Sequence, residues 1–485
     1  MAGRFSSPFP PLRLSHSDER DLEHLADSIV HDAIVHYEAY LYDHNREIDP
    51  DRWKGIKQHE NVRVYYERSK HSRRRRVKST SGVGPHSFSS PSPSPSPTFG
   101  SSYSDDILYT TDEGEDEDRF SDAFASQRSD STTSSQSSSK KLPPVLMTAG
   151  TVNGHLHDVM YGVVNPTIET MRIRSTYVED KVVNAAVLAT IREPTPAEPF
   201  RSIAIKWAVK NQSLAVRTVV KNRDMVFLES VGLKHLPRTG ELIGYQLLHS
   251  VSFPQTHLLA DTARGNISLC GIYRQLNDTT LDIFARGFLA PTGRIMRPLV
   301  IRSAADAMAT VWKSLRCAQM KKLAHALRRR QDTTAVLEAS EGPLPKLPED
   351  RVSVGVVPAA KHVPEKNCSI CTKALSRMAP LTFGRKASGW QCRLCMEMIC
   401  SNCRVKEHLS SIDQEGWLHQ RDIPFCIVCY TAVTKANAFD IAVDEILHND
   451  AQLGYGYGHG MEGSLTSSMS SFTFSDADDF FVPGN

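Results

Sequence analysis

The N-terminal part of the chain shows a helical pattern followed by a strand pattern. Between Asp18 and Leu41 apolar residues recur every three or four positions, with acids and histidines between them. This spacing predicts an amphipathic helix, capped by Ser17 or Asp18. Residues 61–67 then alternate between apolar and polar, which predicts a strand. Residues 1–17 are expected to be disordered.

Alternation returns after residue 143 in a series of short segments. Residues 202–210 show it clearly, since Lys206 and Lys210 lie opposite an apolar face. That apolar face consists of Ile203, Ile205, Trp207 and Val209. Turn residues separate most of the segments and favour an antiparallel sheet. The other predicted strands span 182–191, 214–220, 224–231, 243–251, 267–276 and 281–288.

A second long helix is predicted from Ser303 to Arg330. Apolar residues form a stripe along it, and Ser303 with Asp306 fits a capping box at its start. One N-terminal helix, an antiparallel sheet and one long C-terminal helix together indicate an α+β fold of the helix-grip type. The sheet-and-helix domain is expected to occupy residues 18–68 and 143–330.

Three segments lack enough apolar residues to form a core. Residues 69–142 contain a basic run at Arg73–Arg76, Ser-Pro repeats, an acidic block and a serine tract, and are predicted to be a disordered insert. The basic run fits a nuclear localisation signal, a membrane-surface patch or a solvated linker. Residues 331–365 are predicted to be a linker, and 434–485 a short helix with a disordered tail.

Eight cysteines near the C-terminus form four Cys-x2-Cys pairs within 366–433. Two such pairs supply the four thiolates that a tetrahedral zinc site prefers, so eight ligands indicate two Zn2+ ions. Only four residues separate the two middle pairs, which favours an interleaved arrangement. The first zinc then takes Cys368, Cys371, Cys400 and Cys403, and the second takes Cys392, Cys395, Cys426 and Cys429.

Composition narrows the class of protein. The length of 485 residues and the hydrophobic content of 40% allow two or three domains. The formal charge of +2 is close to neutral, so any charged partner would have to bind at a local patch of charge. We expect no secretory signal and no transmembrane span. Cysteines used for metal then imply a reducing, intracellular compartment. No catalytic motif is recognisable, so an enzyme is not expected.

The sheet domain resembles the START family of lipid-binding domains. The resemblance rests on Tyr161–Val164, Arg223–Glu229, Gly287–Gly293 and the helix that follows. It implies an apolar pocket for one lipid between the sheet and the C-terminal helix, whereas ordinary core packing of the same residues would leave the domain closed. The residues expected to line the pocket are Trp207, Phe227, Tyr245, Tyr273, Phe284, Met308 and Trp312.

The cysteine-rich module resembles the FYVE zinc finger, and is less similar to a RING finger. Of the basic segment that FYVE fingers place around the third cysteine, Arg393 is present, and the glycine expected after the fourth is Met396. The resemblance implies a phosphatidylinositol 3-phosphate membrane as partner. An apolar tip with basic neighbours suits membrane contact. The membrane and head-group candidates are Leu381, Phe383, Arg385, Lys386 and Arg393.

As a whole the chain resembles oomycete proteins that combine a START-like domain with a FYVE-type finger. We expect a non-enzymatic protein that binds a lipid and is peripheral on an endosomal or other intracellular membrane, with the nucleus as a further location. The alternatives are a protein-binding adaptor with a closed START-like core and, less favoured, a RING-type ubiquitin ligase. Nucleic acid is not an expected partner, because the finger lacks a basic recognition helix.

Overall fold

A nine-stranded antiparallel sheet forms the centre of the computed structural model. The described residues are 5–68, 144–211, 221–291, 297–308, 312–340, 367–375, 391–413 and 415–452. The strands follow the order β1-β2-β3-β9-β8-β7-β6-β5-β4. They are β1 (Trp53–His59), β2 (Asn61–Glu67), β3 (Val145–Asn153), β4 (Val182–Arg192), β5 (Ser202–Lys210), β6 (Asn222–His235), β7 (Leu242–Ser250), β8 (Thr262–Asn277) and β9 (Thr280–Pro291).

The predicted α+β class and antiparallel sheet are confirmed, with two strands added. β1 and β3 were not predicted from the sequence, and the strand predicted at 214–220 lies outside the described residues. β2 and β3 are antiparallel neighbours, pairing Asn61 with Thr151 and Tyr66 with Leu146. The segment 69–142 therefore connects two strands that are direct neighbours in the sheet.

One face of the sheet packs against α1 (His16–Glu38). The helix is capped by Ser15, and not by the predicted Ser17 or Asp18. The Ser15 side chain accepts a hydrogen bond from the Asp18 N–H, and the Asp18 carboxylate accepts one from the Ser15 N–H. A π-helical turn, Ala39–Asp43, follows it. This face of the sheet is called the α1 face. It buries the apolar side chains that alternate along β5, together with apolar side chains of β6, β7 and β8. Residues 5–17, expected to be disordered, extend this layer, since Phe9 and Leu12 are buried in the same cluster.

Four helices cover the other face, called here the α2–α5 face. They are α2 (Leu156–Val163), α3 (Ile168–Val178), α4 (Arg297–Met308) and α5 (Lys313–Ser340). The single helix predicted from Ser303 to Arg330 is two helices, and α4 begins six residues before the predicted cap. Ser303 and Asp306 lie inside α4, and Oδ1 of Asp306 forms an ion pair with Nζ of Lys57 at 2.7 Å. The predicted linker is also shorter, since α5 continues to Ser340.

The C-terminal module consists of two cysteine turns, a hairpin and two helices. The hairpin pairs β10 (Arg404–Ile412) with β11 (Leu418–Cys426), and α6 (Ile427–Lys435) and α7 (Ala438–Gln452) follow. Met320 and Leu323 of α5 pack into the apolar core of this module, and Ala438 and Ala442 of α7 pack near α2. Among the helices of the described ranges, none is long and apolar enough to cross a membrane.

Candidate functional site

The eight cysteines lie in two groups of four, each able to hold a metal ion. Cys368, Cys371, Cys400 and Cys403 form one group, and Cys392, Cys395, Cys426 and Cys429 form the other. Within each group the sulfur atoms all lie within 4.8 Å of one another. This is the interleaved pairing that the spacing predicts, and it joins cysteines about thirty residues apart in sequence.

The sulfur separations fit a tetrahedral metal site. Metal–sulfur bonds of about 2.3 Å place the sulfurs of a tetrahedron roughly 3.8 Å apart. Sγ of Cys371 lies 3.6 Å from Sγ of Cys400, and Sγ of Cys395 lies 4.0 Å from Sγ of Cys426. Four thiolates at these separations would hold Zn2+ by all-sulfur coordination, with no coordination position left for a substrate. Such a site is structural rather than catalytic.

The first pair of each group forms the same turn. The N–H of Thr372 donates to the Cys368 carbonyl at 2.8 Å, and the N–H of Met396 donates to the Cys392 carbonyl at 2.9 Å. Thr372 and Met396 both adopt left-handed backbone conformations, with φ of 57° and 63°. Met396 therefore occupies a conformation that glycine adopts without steric cost.

Backbone hydrogen bonds favour thiolate at particular ligands. Burial raises the pKa of the Cys368 thiol, but hydrogen bonds from the backbone of Cys371 and Cys400 outweigh that effect and lower the pKa to about 6. The pKa of Cys392 is lowered in the same way, against its burial. Because the thiolate is the form that binds metal, the backbone favours the metal-binding form at Cys368 and Cys392, whereas burial raises the pKa of Cys395, the other ligand of the second turn, to about 11.

Polar contacts attach the cysteine module to the sheet domain. Nη1 of Arg316 on α5 donates to Oε1 of the buried Glu407 on β10 at 3.1 Å. Nη1 of Arg330 donates to the Arg393 carbonyl at 2.7 Å. From α3, the Tyr177 hydroxyl accepts from the Ser410 N–H at 2.7 Å. The two parts therefore share an interface built from α3, α5 and the hairpin.

The predicted pocket residues separate onto the two faces of the sheet. Trp207, Tyr245 and Phe284 lie on the α1 face, so the prediction that they line a pocket beneath the C-terminal helix is wrong. Trp207 instead packs edge-on against Phe9 at 5.8 Å. Successive strand residues alternate between faces, and both faces here are apolar. The alternation therefore predicted the strands without indicating which face lies beneath the C-terminal helices.

The other four pocket candidates lie on the α2–α5 face. Tyr273 lines a small cavity there, and Phe227 belongs to an adjoining apolar cluster. Met308 packs α4 onto β2 and β3, while Trp312 stacks on the His59 ring at 5.0 Å. The adjoining cluster, with the half-buried side chains against it, is called the apolar strip. It comprises the buried residues Ala185, Ala208, Met225, Phe227 and Ile267 and the half-buried residues Phe5, Met171, Val182, Leu248, Leu269 and Leu289.

The cavity beside the apolar strip has a volume of about 20 Å³. A space of this size holds about one water molecule and no lipid. Two of its lining side chains, Gln246 and Tyr273, are polar, and the other lining residues are Leu248, Leu269, Gly271 and Ala285. The cavity therefore has a polar end within an apolar surface.

A buried polar cluster behind Gln246 was not predicted from the sequence. Lys206 is 1% exposed and forms an ion pair with Glu229, and its Nζ also donates to the Asn165 carbonyl at 2.7 Å. Gln246 Nε2 donates to Glu229 Oε1 at 2.9 Å. The alternation along β5 placed Lys206 opposite the Trp207 face, a position typical of a solvent-facing lysine. Glu229, on the neighbouring strand β6, was the available hint of a buried pair.

Of the membrane candidates, Arg393 lies within the described part of the chain. Its side chain is exposed in the turn of the second cysteine group, and its N–H donates to the Pro424 carbonyl at 3.0 Å. Leu381, Phe383, Arg385 and Lys386 lie outside the described residues, as does the Arg73–Arg76 run. The membrane face proposed from these residues remains a prediction.

Comparison with known proteins gives similarities of shape at low sequence identity. No family model matches the chain, and no curated protein matches it. It is similar to human StAR-related lipid transfer protein 5, with a TM-score of 0.35 and 11% identity over 61% of this chain and 98% of that one. For human STARD10 the TM-score is 0.34 and the identity 11%, over 70% of this chain and 93% of that one.

A STAR-related lipid transfer protein from Xanthomonas axonopodis is also similar, with a TM-score of 0.30 and 12% identity over 55% of this chain and 97% of that one. At these TM-scores the similarities carry no argument about function. The fold assignment therefore rests on the strand order and the helix positions described above.

Proposed function

We propose that this chain is a non-enzymatic lipid-binding protein whose ligand lies on the α2–α5 face of the sheet. The observation that carries the proposal is the polar end of the cavity beside the apolar strip. A closed core would gain more from apolar packing there, since burying a charged pair costs several kcal/mol before its attraction is counted. A binding site for an amphiphile needs an apolar surface with one polar end.

Binding on this face requires the helices over it to move. The cavity holds about one water, so a lipid would displace α4, which contacts Leu269, Leu289 and Ala285. Its buried contacts in that cluster come from Ala304, Ala305 and Met308. Two of these three side chains are methyl groups, so separating α4 from the sheet exposes less apolar area than separating a leucine-rich helix would.

The cysteine module would bind two Zn2+ ions and act as a FYVE-like targeting module. We propose that it makes the protein peripheral on an endosomal or other intracellular membrane, with Arg393 as one contact to an anionic head group. Flotation of the zinc-loaded chain with liposomes containing phosphatidylinositol 3-phosphate tests this. Binding that ignores the phosphoinositide and survives Leu381→Ala with Phe383→Ala would refute the proposed membrane face.

Photocrosslinking tests where the lipid lies. A fatty acid carrying a diazirine in its tail would be activated on the full zinc-loaded chain, and the labelled peptides would be identified by mass spectrometry. We expect labels on Phe227, Leu248 or Leu269 of the apolar strip. Labels confined to the α1 face, for example on Ile205 or Ile243, would contradict the proposed site.

A second candidate function is a protein-binding adaptor with a closed sheet domain. The cavity volume of about 20 Å³ is the observation that favours it. In that case the polar cluster at Lys206 and Glu229 would have a structural role and would not contribute to ligand binding. Absence of any specific crosslink on the sheet domain, in a chain shown to be folded, would support this alternative.

A further inference from the structure

The buried ion pair beside the cavity uses its own charges and hydrogen bonds internally. Nζ of Lys206 has three protons and contacts three acceptor atoms, namely the Glu229 carboxylate, the Asn165 carbonyl at 2.7 Å and Asn165 Oδ1 at 2.9 Å. Lys206 and Glu229 are 1% and 5% exposed, so water does not screen the pair. The two polar residues that line the cavity, Gln246 and Tyr273, are uncharged. The lining residues therefore present hydrogen-bonding groups without an unpaired charge.

The ion pair fixes the orientation of the Gln246 amide. A carboxylate only accepts hydrogen bonds, so the NH2 group of Gln246 must face Glu229, and Nε2 donates to Oε1 of Glu229 at 2.9 Å. The carbonyl oxygen of Gln246 lies on the other side of the amide and receives no hydrogen bond from the described part of the chain. Gln246 therefore offers an acceptor to the cavity that it lines.

The strand register places the Tyr273 hydroxyl beside that acceptor. Gln246 of β7 lies directly opposite Gly271 of β8, and Gly271 lies opposite Ala285 of β9. The Tyr273 hydroxyl occupies the space over Gly271, because a Cβ atom at that glycine would lie 3.3 Å from the hydroxyl oxygen. The Cβ positions of directly opposite residues are about 5 Å apart. The hydroxyl, which forms no hydrogen bond within the described ranges, therefore lies within a side-chain length of the Gln246 amide.

One hydroxyl group from a ligand would satisfy both side chains. Its oxygen accepts from Tyr273, and its proton is donated to the Gln246 carbonyl oxygen. An ionised carboxylate or phosphate ester has lone pairs where Gln246 needs a donor, and its negative charge would lie near that of Glu229. Because a buried acceptor without a donor is costly, the site favours a head group that both donates and accepts.

We propose that the cavity is the head-group site for an uncharged amphiphile with a terminal hydroxyl, whose apolar body lies along the apolar strip. The inference rests on the proposed lipid-binding function and names the ligand class of the same site. The hydroxyl takes the space of about one water over Gly271 and Ala285. Leu248 and Leu269 line the cavity and belong to the apolar strip, so the head-group site continues into the apolar surface.

Ligands that share a tail and differ in head group test the assignment. Dissociation constants of oleyl alcohol, oleyl methyl ether and oleic acid would be measured with the full zinc-loaded chain at neutral pH. We expect the alcohol to bind about tenfold more tightly than the ether or the acid, because neither of these donates to Gln246. Cholesterol and dioleoylglycerol carry a hydroxyl on a rigid and a flexible body, so the tighter of the two identifies the lipid class.

Two substitutions separate the two hydrogen bonds. Gln246→Met removes the acceptor and should make the alcohol and the ether bind equally. Tyr273→Phe removes the donor and should weaken both ligands by about threefold to tenfold while the alcohol stays preferred. The matched control is Tyr245→Phe, which should change neither result, because Tyr245 lies on the α1 face. Circular dichroism identifies any variant that fails to fold, and the wild-type comparison stands without the variants.

The outcomes distinguish this inference from the proposed function. Binding of oleic acid as tightly as the alcohol, or more tightly, overturns the uncharged head group and leaves lipid binding intact. Equal binding of the alcohol and the ether to the wild type overturns hydroxyl recognition in the same way. Binding of none of these ligands overturns the lipid-binding proposal together with this inference. An alcohol preference that survives Gln246→Met refutes the role of Gln246.

Discussion

Nζ of Lys322 lies 2.6 Å from Oδ1 of Asp158, and this ion pair joins α5 to α2 inside the molecule. Lys322 is 1% exposed. The same ammonium group donates to the Thr434 carbonyl at 3.0 Å and the Ala436 carbonyl at 2.7 Å, where α6 gives way to α7. One lysine therefore links the sheet domain to the C-terminal module, and the two parts pack directly against each other.

Replacing Lys322 should destabilise both parts together. Lys322→Met leaves Asp158 without its counter-ion and two carbonyls without a donor, so we expect the free energy of unfolding to fall by about 2–4 kcal/mol. Urea denaturation of the zinc-loaded chain measures this. The control is Lys313→Met. The ion pair of Lys313 with Glu179 is exposed, so this substitution should change the free energy of unfolding by less than about 1 kcal/mol. Equal effects of the two variants would contradict the role of Lys322.

Removing the metal should loosen α5 as well as the cysteine module. Met320 and Leu323 pack against Cys392 and Phe425, so unfolding of the module exposes one side of the helix. Hydrogen–deuterium exchange with a zinc chelator should show faster exchange in 316–330 and unchanged exchange in the centre of β8. Cys400→Ser should reproduce the effect without chelator. Unchanged exchange in α5 would mean that the module does not dock as described.

The left-handed backbone at Met396 predicts a stabilising substitution. Met396→Gly removes the steric cost of φ 63°, although glycine loses more freedom on folding. The net gain should be roughly 0.5–1 kcal/mol. Thermal unfolding at fixed zinc measures it. Met398→Gly is the matched control, since Met398 has no positive φ, and it should be destabilising.

His249 gives the fold a pH dependence. Burial lowers its pKa to about 4 from the usual 6.5, and a ring nitrogen, Nδ1, lies 3.0 Å from the Ser268 hydroxyl. The unfolded chain then binds more protons between these values, so stability is complete above pH 6.5 and falls as the pH drops toward 4. The loss attributable to His249 should reach roughly 2–3 kcal/mol.

The His249 contribution is measured as a difference. Unfolding free energies of the wild type and His249→Gln would be compared from pH 7 to pH 4, because zinc release in acid affects both proteins. The wild type should lose more stability than the variant over this range. Parallel curves would show that His249 does not titrate as its burial implies.

Local patterns predicted the fold better than they predicted the site. Alternation identified β5, and cysteine spacing identified both groups of four, because each depends on short-range geometry. The face beneath the C-terminal helices was not predictable from alternation alone, since Trp207 and Ala208 both lie on apolar faces. Lys206 and Glu229 become a buried pair only when β5 and β6 are adjacent and α2 and α3 cover them.

The interface between the sheet domain and the C-terminal module was also not predicted from the sequence. The contacts of Lys322 and Arg316 join residues about a hundred positions apart, and no periodicity encodes such a pairing. The predicted end of the helix near Arg330 fitted a cluster of cations at a helix C-terminus. In the structure Arg328 instead binds Glu445 of α7, and Arg329 lies 3.2 Å from Asp444.

Native mass spectrometry of the full zinc-loaded chain, purified from a eukaryotic host without detergent, tests directly whether the protein binds a lipid. We expect a species heavier than the protein with two zinc ions by the mass of one lipid. Collisional release of the bound molecule should give the mass of that lipid. A chain that is folded, carries two zinc ions and shows no added mass, even after incubation with mixed lipid vesicles, would contradict the claim and favour a closed sheet domain.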